Sequence, residues 1–290
     1  MSYSKDTIKA LKRLQKDEIN AYHIYLKLSK IIKDENNAGV LARIAEEEKK
    51  HYAVFTGYLQ HEIQPNRVNI ARFIFLARAL GLTFALKLME KKEASVETYE
   101  KAMAEIPEMA AVIADEEKHE TELLGMLDEE RLSYMGSVVL GLNDALVELT
   151  GALAGFTLSM KNARTIALVG LITGISAALS MAASEYISSR TEADGKVNPK
   201  KASIYTGIAY VITVVLLILP FFLLSNYIVS LVVTLLIAIL IIAFFNYYIS
   251  VATDQPFFAR FGEMTLISLG VAAVSFGIGF LVNKFFGLQM

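Results

Sequence analysis

The sequence predicts an all-α protein in two parts, a soluble four-helix bundle over residues 1–131 and a five-helix transmembrane domain over residues 132–290. The first observation is the charge distribution. Residues 1–131 contain 43 Asp, Glu, Lys and Arg side chains and all four His, whereas residues 132–290 contain 15 charged side chains and no His. The second is the apolar pattern, which follows helical steps of three and four in the first part and forms runs of about 20 residues in the second.

Acidic and histidine residues interrupt the apolar stripes of the first part. Leu11 and Leu14 lead to one Glu, and Leu41 and Ile44 lead to another. Steps of three and four keep each set on one helical face, so the interrupting side chains are predicted to point into the bundle. Buried charges are normally paired or bound to metal. The residues concerned are Glu18, Glu48, His51, Glu90, Glu93, Glu116 and His119.

Two of these sets have the form Glu-x-x-His, at Glu48 and His51 and at Glu116 and His119. One copy is a weak signal, because a Glu and a His three residues apart usually lie on a solvated helix face. In this chain the motif occurs twice, and each copy lies about one helix after another Glu that interrupts an apolar stripe. Four Glu-bearing helices, two of them with Glu-x-x-His, are the ligand set of a carboxylate-bridged dinuclear metal site.

Four further acidic residues lie near the same stripes. Glu47 and Glu117 are each one residue, about 100°, off the stripe, which predicts that they are solvated. Glu97 and Glu100 are weaker, competing ligand candidates, since Glu97 continues the stripe of Glu90.

The connection between Glu48 and Glu90 is asymmetric. Fewer residues separate Glu48 from the turn around Gln64 and Pro65 than separate that turn from Glu90. Residues 67–83 are therefore more residues than a simple antiparallel return would need. They form either a crossover arm or an exchange between two protomers, and the sequence does not choose.

The first part resembles the rubrerythrin-type, ferritin-like di-iron domains over roughly residues 5–130. The resemblance rests on Glu18, Glu48-Lys-Lys-His51, Glu90-Lys-Lys-Glu93 and Glu116-Glu-Lys-His119. It implies two iron ions bridged by Glu48 and Glu116 and flanked by the other five residues. Rubrerythrins usually carry a cysteine-ligated rubredoxin domain as electron source, and this chain has no cysteine. A self-contained peroxidase with its own electron relay is therefore not expected.

The second part contains five stretches long and apolar enough to cross a hydrocarbon core, which needs about 20 residues per helix. They cover residues 137–159, 165–188, 204–225, 227–250 and 262–282. The start of the chain is charged and lacks the pattern of a secretory signal, so the first part is expected in the cytosol. The basic residues agree with this orientation. Those on the predicted inner side are Arg131, Arg190, Lys196, Lys200, Lys201 and Arg260, against Lys161, Arg164 and Lys284 outside.

Ionisable residues inside a span cost about 2.5–3.5 kcal/mol on insertion scales and are functional candidates. Asp144 and Glu148 stand four residues apart in the first span beside Asn143, and Met181 and Glu185 stand four apart in the second. Carboxylate, amide and thioether donors together suit a divalent transition ion such as Fe²⁺ or Mn²⁺. These residues are therefore predicted to line one transport path. The alternative is a structural role in hydrogen bonding or helix packing within the membrane.

Small residues in the same two spans predict close helix packing. Gly151 and Gly155 lie four apart in the first span, and Gly170 and Gly174 do so in the second. Faces of this kind let helices approach closely, so these glycines are predicted to pack the first two spans together.

The spans also resemble the vacuolar iron transporters of plants and fungi and their prokaryotic relatives. The matching strings are Gly141-Leu-Asn-Asp144-Ala-Leu-Val and Ser180-Met181-Ala-Ala-Ser-Glu185-Tyr-Ile-Ser. The resemblance implies a five-span homodimer that exchanges Fe²⁺ or Mn²⁺ for protons, with Asp144 and Met181 as pore ligands and Glu185 close by. Ala145 stands where that family usually has Gly, and residues 190–201 are too few for the Glu-rich cytosolic domain of the plant members. Proteins that join both halves are known as membrane-bound ferritins, and this match covers nearly the whole chain.

The leading hypothesis is a transporter whose cytosolic bundle captures or senses iron and whose membrane domain exports it, driven by protons. The alternative is a membrane-anchored di-iron ferroxidase or peroxidase, with spans that only tether it. Asp144, Glu148 and Glu185 favour transport, since an anchor does not need them. A structural oligomerisation module leaves the seven buried polar residues of the bundle unexplained. The expected partners are Fe²⁺ or Mn²⁺, protons, the lipid bilayer and a second copy of the chain, and no nucleic acid is predicted.

Overall fold

The structure, a computed structural model, describes residues 3–91, 106, 109–126, 134–191 and 197–286. Ten helices and no strand occur in these residues, which confirms the predicted all-α class. The chain divides into two compact units, residues 1–129 and residues 130–290.

The first unit begins with two long helices joined by a short turn. Its described helices are α1 (Lys5–Ser29), α2 (Glu35–Leu59), α3 (Arg67–Leu80), α4 (Leu82–Glu90) and α5 (Met109–Gly125). The Ser4 hydroxyl accepts a hydrogen bond from the Thr7 N–H at 3.1 Å, and Asp34 Oδ1 accepts one from the Asn37 N–H at 2.7 Å. Because the first N–H groups of a helix have no partner within it, these two caps determine where α1 and α2 begin.

The apolar stripes of the first unit meet in a common core. Leu11 and Leu14 of α1 pack with Phe55 of α2 and with Met109 and Val112 of α5. All five side chains are buried. The helical faces predicted from the apolar spacing are therefore the faces that these three helices bury, and the polar residues that continue the stripes are carried inward with them.

Helix α3 packs against α1 of the same chain. The backbone N–H of Asn66, the residue that caps α3, donates to Oδ1 of the buried Asn20 at 2.8 Å. Gly81 then separates α3 from α4 with a φ of 103°, a conformation that residues with a side chain rarely adopt. Within the single chain, residues 67–83 therefore follow the crossover arrangement, and the exchange between two protomers stays a prediction of the sequence.

The second unit contains five helices, each long and apolar enough to cross a membrane. They are α6 (Met135–Met160), α7 (Ala163–Thr191), α8 (Pro199–Leu223), α9 (Tyr227–Thr253) and α10 (Phe257–Phe286). The five predicted spans are confirmed, and their ends differ from the prediction by a few residues because polar side chains at the boundaries extend or cap the helices. Asn198, for example, caps α8.

Helix α6 lies at the centre of this unit and contacts the other four helices. The prediction for its glycines is partly wrong. Gly170 of α7 faces α6, where an added Cβ would lie 2.8 Å from Leu153 Cδ2. Gly151 and Gly155 instead face α10, and Gly174 faces α8. The small residues of α6 therefore let the fifth span, rather than the second, approach its backbone.

Candidate metal centre and membrane ion path

Four side chains from three helices converge in the first unit: Glu18 of α1, Glu48 and His51 of α2, and Glu116 of α5. One possible ligand atom from each lies within 4.8 Å of those of the other three. Glu18 and Glu48 are both 3% exposed, and His51 is 5% exposed. Their positions follow from the stripes, because each residue continues the apolar face that its helix buries. The group could hold a metal ion.

His119 of α5 faces the same carboxylates. Its Nδ1 atom lies 3.3 Å from Glu48 Oε1 and 3.9 Å from Glu116 Oε2. The Nδ1 atom of His51 lies 3.1 Å from Glu116 Oε1 and 3.6 Å from Glu18 Oε2. Both imidazoles thus direct Nδ1 towards the inner carboxylates. The two ring centroids are 5.9 Å apart.

The outward nitrogens of both imidazoles contact a second pair of carboxylates. His119 Nε2 lies 2.7 Å from Glu47 Oε2, and His51 Nε2 lies 3.3 Å from Asp115 Oδ2. The prediction that Glu47 is solvated is only partly right, because its side chain is 22% exposed and its Oε2 contacts His119 of α5. Asp115 was missed. The signal that would have indicated both is the acidic residue directly before each Glu-x-x-His motif. Glu117 is exposed, as predicted.

Arg43 holds the outer carboxylate of α2 in place. Its Nη1 lies 3.1 Å from Glu47 Oε2, and its Nη2 pairs with Glu122 of α5. A chain of contacts therefore runs from His119 through Glu47 and Arg43 back to α5. Because Arg43 is 40% exposed, solvent screens its ion pairs, and we assign it an orienting role and little stability.

Burial and mutual repulsion control the protonation of the inner residues. Burial raises the pKa of Glu48 well above its usual value, and the nearby Glu18 raises it further. Burial alone would lower the pKa of His119, but its hydrogen bonds to Glu116, Glu48 and Glu47 raise it to about 10. Protons thus compensate the crowded carboxylates, and a cation can replace them. Carboxylate and imidazole donors in this arrangement fit iron and other divalent transition ions.

The remaining predicted ligands are placed less completely. Glu90 is half-buried at the end of α4 and is outside the group of four whose ligand atoms converge. Glu93, Glu97 and Glu100 lie outside the described residues. The structure therefore brings together five of the seven residues predicted from the stripes.

In the second unit, Asp144 and Glu148 lie one helical turn apart on an exposed face of α6. Leu140, one turn before Asp144, continues this face and is 48% exposed. The Tyr210 hydroxyl of α8 donates a hydrogen bond to Glu148 Oε2 at 3.0 Å. A carboxylate exposed on a spanning helix faces the interior of a bundle, a water-filled cavity or a partner.

Glu185 of α7 is buried and held by two hydroxyls. Ser137 of α6 donates to its Oε1 at 2.6 Å and Ser189 at 3.0 Å. Because α6 and α7 are consecutive spans that run in opposite directions, this contact sets their register. Asp144 lies about 10 Å beyond Ser137 along α6. The same distance on the antiparallel α7 is about two turns and leads from Glu185 back to a level about one turn from Met181. The four path candidates therefore lie on adjacent helices.

One of three comparisons with known proteins matches the helices that carry this second group of residues. Searches of curated proteins and of solved structures each found no match. The model of the VIT family matches residues 135–197, a segment that includes α6 and α7 and all four path candidates. Over this segment the chain is similar to the VIT family.

Proposed function

We propose that the chain is a membrane transporter that exports Fe²⁺, or Mn²⁺, from the cytosol in exchange for protons. The observation that carries the proposal is the pair of carboxylates, Asp144 and Glu148, on an exposed face of a membrane-spanning helix within the segment that matches the VIT family. An ionised group at that depth is tolerable mainly with a cation or a proton on it. Such a carboxylate can alternate between the two and so couple their movements.

The neighbouring residues supply further ligands for the transported ion. Met181 offers a thioether, a soft donor that suits Fe²⁺ better than a hard ion such as Mg²⁺. Glu185, which two serines hold in place at one end of α7, can receive or release the ion. In this arrangement Asp144 is the central ligand, Met181 contributes selectivity, and Glu148 and Glu185 extend the path in opposite directions.

We infer that the transporter is a homodimer. The stripe of Leu140, Asp144 and Glu148 faces outward from a single chain, where lipid would surround it. A second copy that packs on this face would remove the carboxylates from lipid and enclose the path between two chains.

The cytosolic unit is proposed to be a ferritin-like domain with a dinuclear iron centre that captures or senses iron. Glu18, Glu48, His51, Glu116 and His119 would hold the ions, with Glu48 and Glu116 as bridges because they contact both histidines. Manganese suits the same donors. Glu90 and Glu93 complete the proposed set. Bound iron would supply reversible one-electron chemistry, while the protein residues set its affinity through burial and proton exchange.

Uptake of Fe²⁺ and Mn²⁺ into proteoliposomes, with and without a pH gradient, tests the transport function. The Asp144→Asn variant should abolish flux while the metal content of the cytosolic unit stays unchanged. Asp254→Asn makes the same chemical change directly after α9 and should transport normally. Normal flux in Asp144→Asn would remove the central residue of the proposal.

A membrane-anchored ferroxidase or peroxidase is the second candidate function. It is favoured by a cavity of about 360 Å³ that reaches His51 and is lined by Glu47, Lys50 and Asp115, among others. A small oxidant could approach the metal centre through it. Fe²⁺-dependent oxygen or peroxide consumption by the full chain, unaffected by Asp144→Asn and lost in Glu48→Ala, would favour this function over transport.

A further inference from the structure

One contact in the second unit joins the proposed ion path to α8, a helix that contains none of the four path candidates. The hydroxyl of Tyr210 in α8 donates to Oε2 of Glu148 in α6 at 3.0 Å. Tyr210 is 0% exposed, whereas Glu148 lies on the exposed face of α6. A buried residue thus reaches from the core of the unit to a carboxylate at its surface.

The surroundings of Tyr210 explain why its hydroxyl is a fixed donor. Its ring lies in the same apolar core as Ala145, Leu149 and Val214, all buried. Dense packing holds an aromatic ring in one rotamer, and a buried hydroxyl requires a hydrogen-bond partner. Glu148 provides that partner.

The hydrogen bond leaves the other oxygen of Glu148 available. Within the part of the chain that the structure describes, Glu148 makes no hydrogen bond except the one from Tyr210. The flexible side chain is therefore anchored through Oε2, while Oε1 stays free to accept an ion. Glu185, by contrast, accepts two hydroxyl donors on a single oxygen and is buried.

We propose that Tyr210 is a positioning residue for the transported ion. It holds Glu148 in one orientation, so that an ion leaving Asp144 one turn away meets a preformed ligand. This inference rests on the proposed transport function. Tyr210 is assigned no ligand role of its own, because it is 0% exposed, whereas Glu148 lies on the exposed face of α6. A positioned ligand lowers the entropic cost of ion binding, so the loss of Tyr210 should weaken apparent affinity more than maximal rate.

The test is Mn²⁺ uptake by full-length protein in proteoliposomes. Tyr210→Phe keeps the buried ring and removes only the donor, and it should raise the apparent KM for Mn²⁺ about tenfold with a maximal rate within about a factor of two of wild type. Tyr205→Phe is the matched control, since it removes the hydroxyl of an exposed tyrosine in the same helix, and it should behave as wild type.

A double-mutant cycle separates positioning from packing. In a Glu148→Ala background, Tyr210→Phe should have no further effect on KM, because the carboxylate that it orients is gone. An equal effect in both backgrounds would show a packing role and overturn the inference, as would an unchanged KM in Tyr210→Phe alone. If Tyr210→Phe fails to fold, Glu148→Ala must by itself raise KM at least as much, and an unchanged KM there overturns the inference. Failure of the wild type to take up Mn²⁺ would instead refute the transport function.

Discussion

His119 of α5 contacts Glu47 of α2 at 2.7 Å through its outward nitrogen, and His51 of α2 contacts Asp115 of α5 at 3.3 Å in the same way. Each outer carboxylate thus immediately precedes the inner Glu of one helix and orients the histidine of the other. With a metal bound, a carboxylate that accepts from Nε2–H would keep the hydrogen there and leave Nδ1 as the ligand atom. The histidine of each Glu-x-x-His motif therefore depends on the outer carboxylate of the other helix.

The outer carboxylates should control metal affinity. Glu47→Gln and Asp115→Asn should each weaken metal binding by the first unit by about 10- to 100-fold, the usual effect of losing an outer partner of a histidine ligand. Titration of the metal-free chain with Fe²⁺ or Mn²⁺ measures this. Glu46→Gln, an exposed position one residue earlier, is the control and should not change affinity. Equal affinities in all three variants would remove the orienting role.

The inner bridging residues should be indispensable for metal occupancy. A Glu48→Ala, Glu116→Ala double variant should lose most of the metal that the wild-type unit retains, because both residues contact both histidines. Elemental analysis of the purified chain measures the loss. Glu117→Ala, at an exposed position directly beside Glu116, should keep its metal. Full occupancy in the double variant would contradict the bridging assignment.

Without metal, the first unit should lose stability as pH rises. The pKa of His119 is raised from 6.5 to about 10 in the folded chain, so its stabilising contribution is complete below pH 6.5 and is lost as pH rises through about 10. The raised pKa of Glu48 acts in the same direction. Melting temperatures of the chelator-treated chain between pH 7 and pH 10 should therefore fall.

Two comparisons identify the source of this pH dependence. Bound metal should reduce the fall, since metal replaces the protons. The fall should also be smaller in His119→Gln, and an identical slope in that variant would assign the effect to other groups.

The two ends of the chain should lie on opposite sides of the membrane. Five spans are an odd number, and the basic residues near them favour a cytosolic first unit. The chain has no cysteine, so single substitutions at the exposed Lys33 and Lys284 are specific reporters. An impermeant thiol reagent should label Lys284→Cys but not Lys33→Cys in intact cells. Labelling of both from one side would exclude this topology.

The spans and stripes could be predicted from the sequence because they are one-dimensional patterns. A run of apolar residues in the second unit must be helical to satisfy its backbone in lipid, so the number of spans follows from hydropathy alone. In the first unit, steps of three and four place Glu18, Glu48 and His51 on faces already marked by Leu11, Leu14, Leu41 and Ile44. Both patterns describe a single helix and need no knowledge of its neighbours.

The contacts of Glu47, Asp115, Tyr210 and Gly155 depended on which neighbour each helix meets. One residue off a stripe is solvated on an isolated helix, but Glu47 meets His119 because α5 packs on that side of α2. Gly155 meets α10 and not α7. Helix α6 contacts four helices, and the spacing of its small residues does not specify which of them approaches. Periodicity in the sequence determined which face of each helix is buried, and only the packing of helices distant in sequence decided what that face contacts.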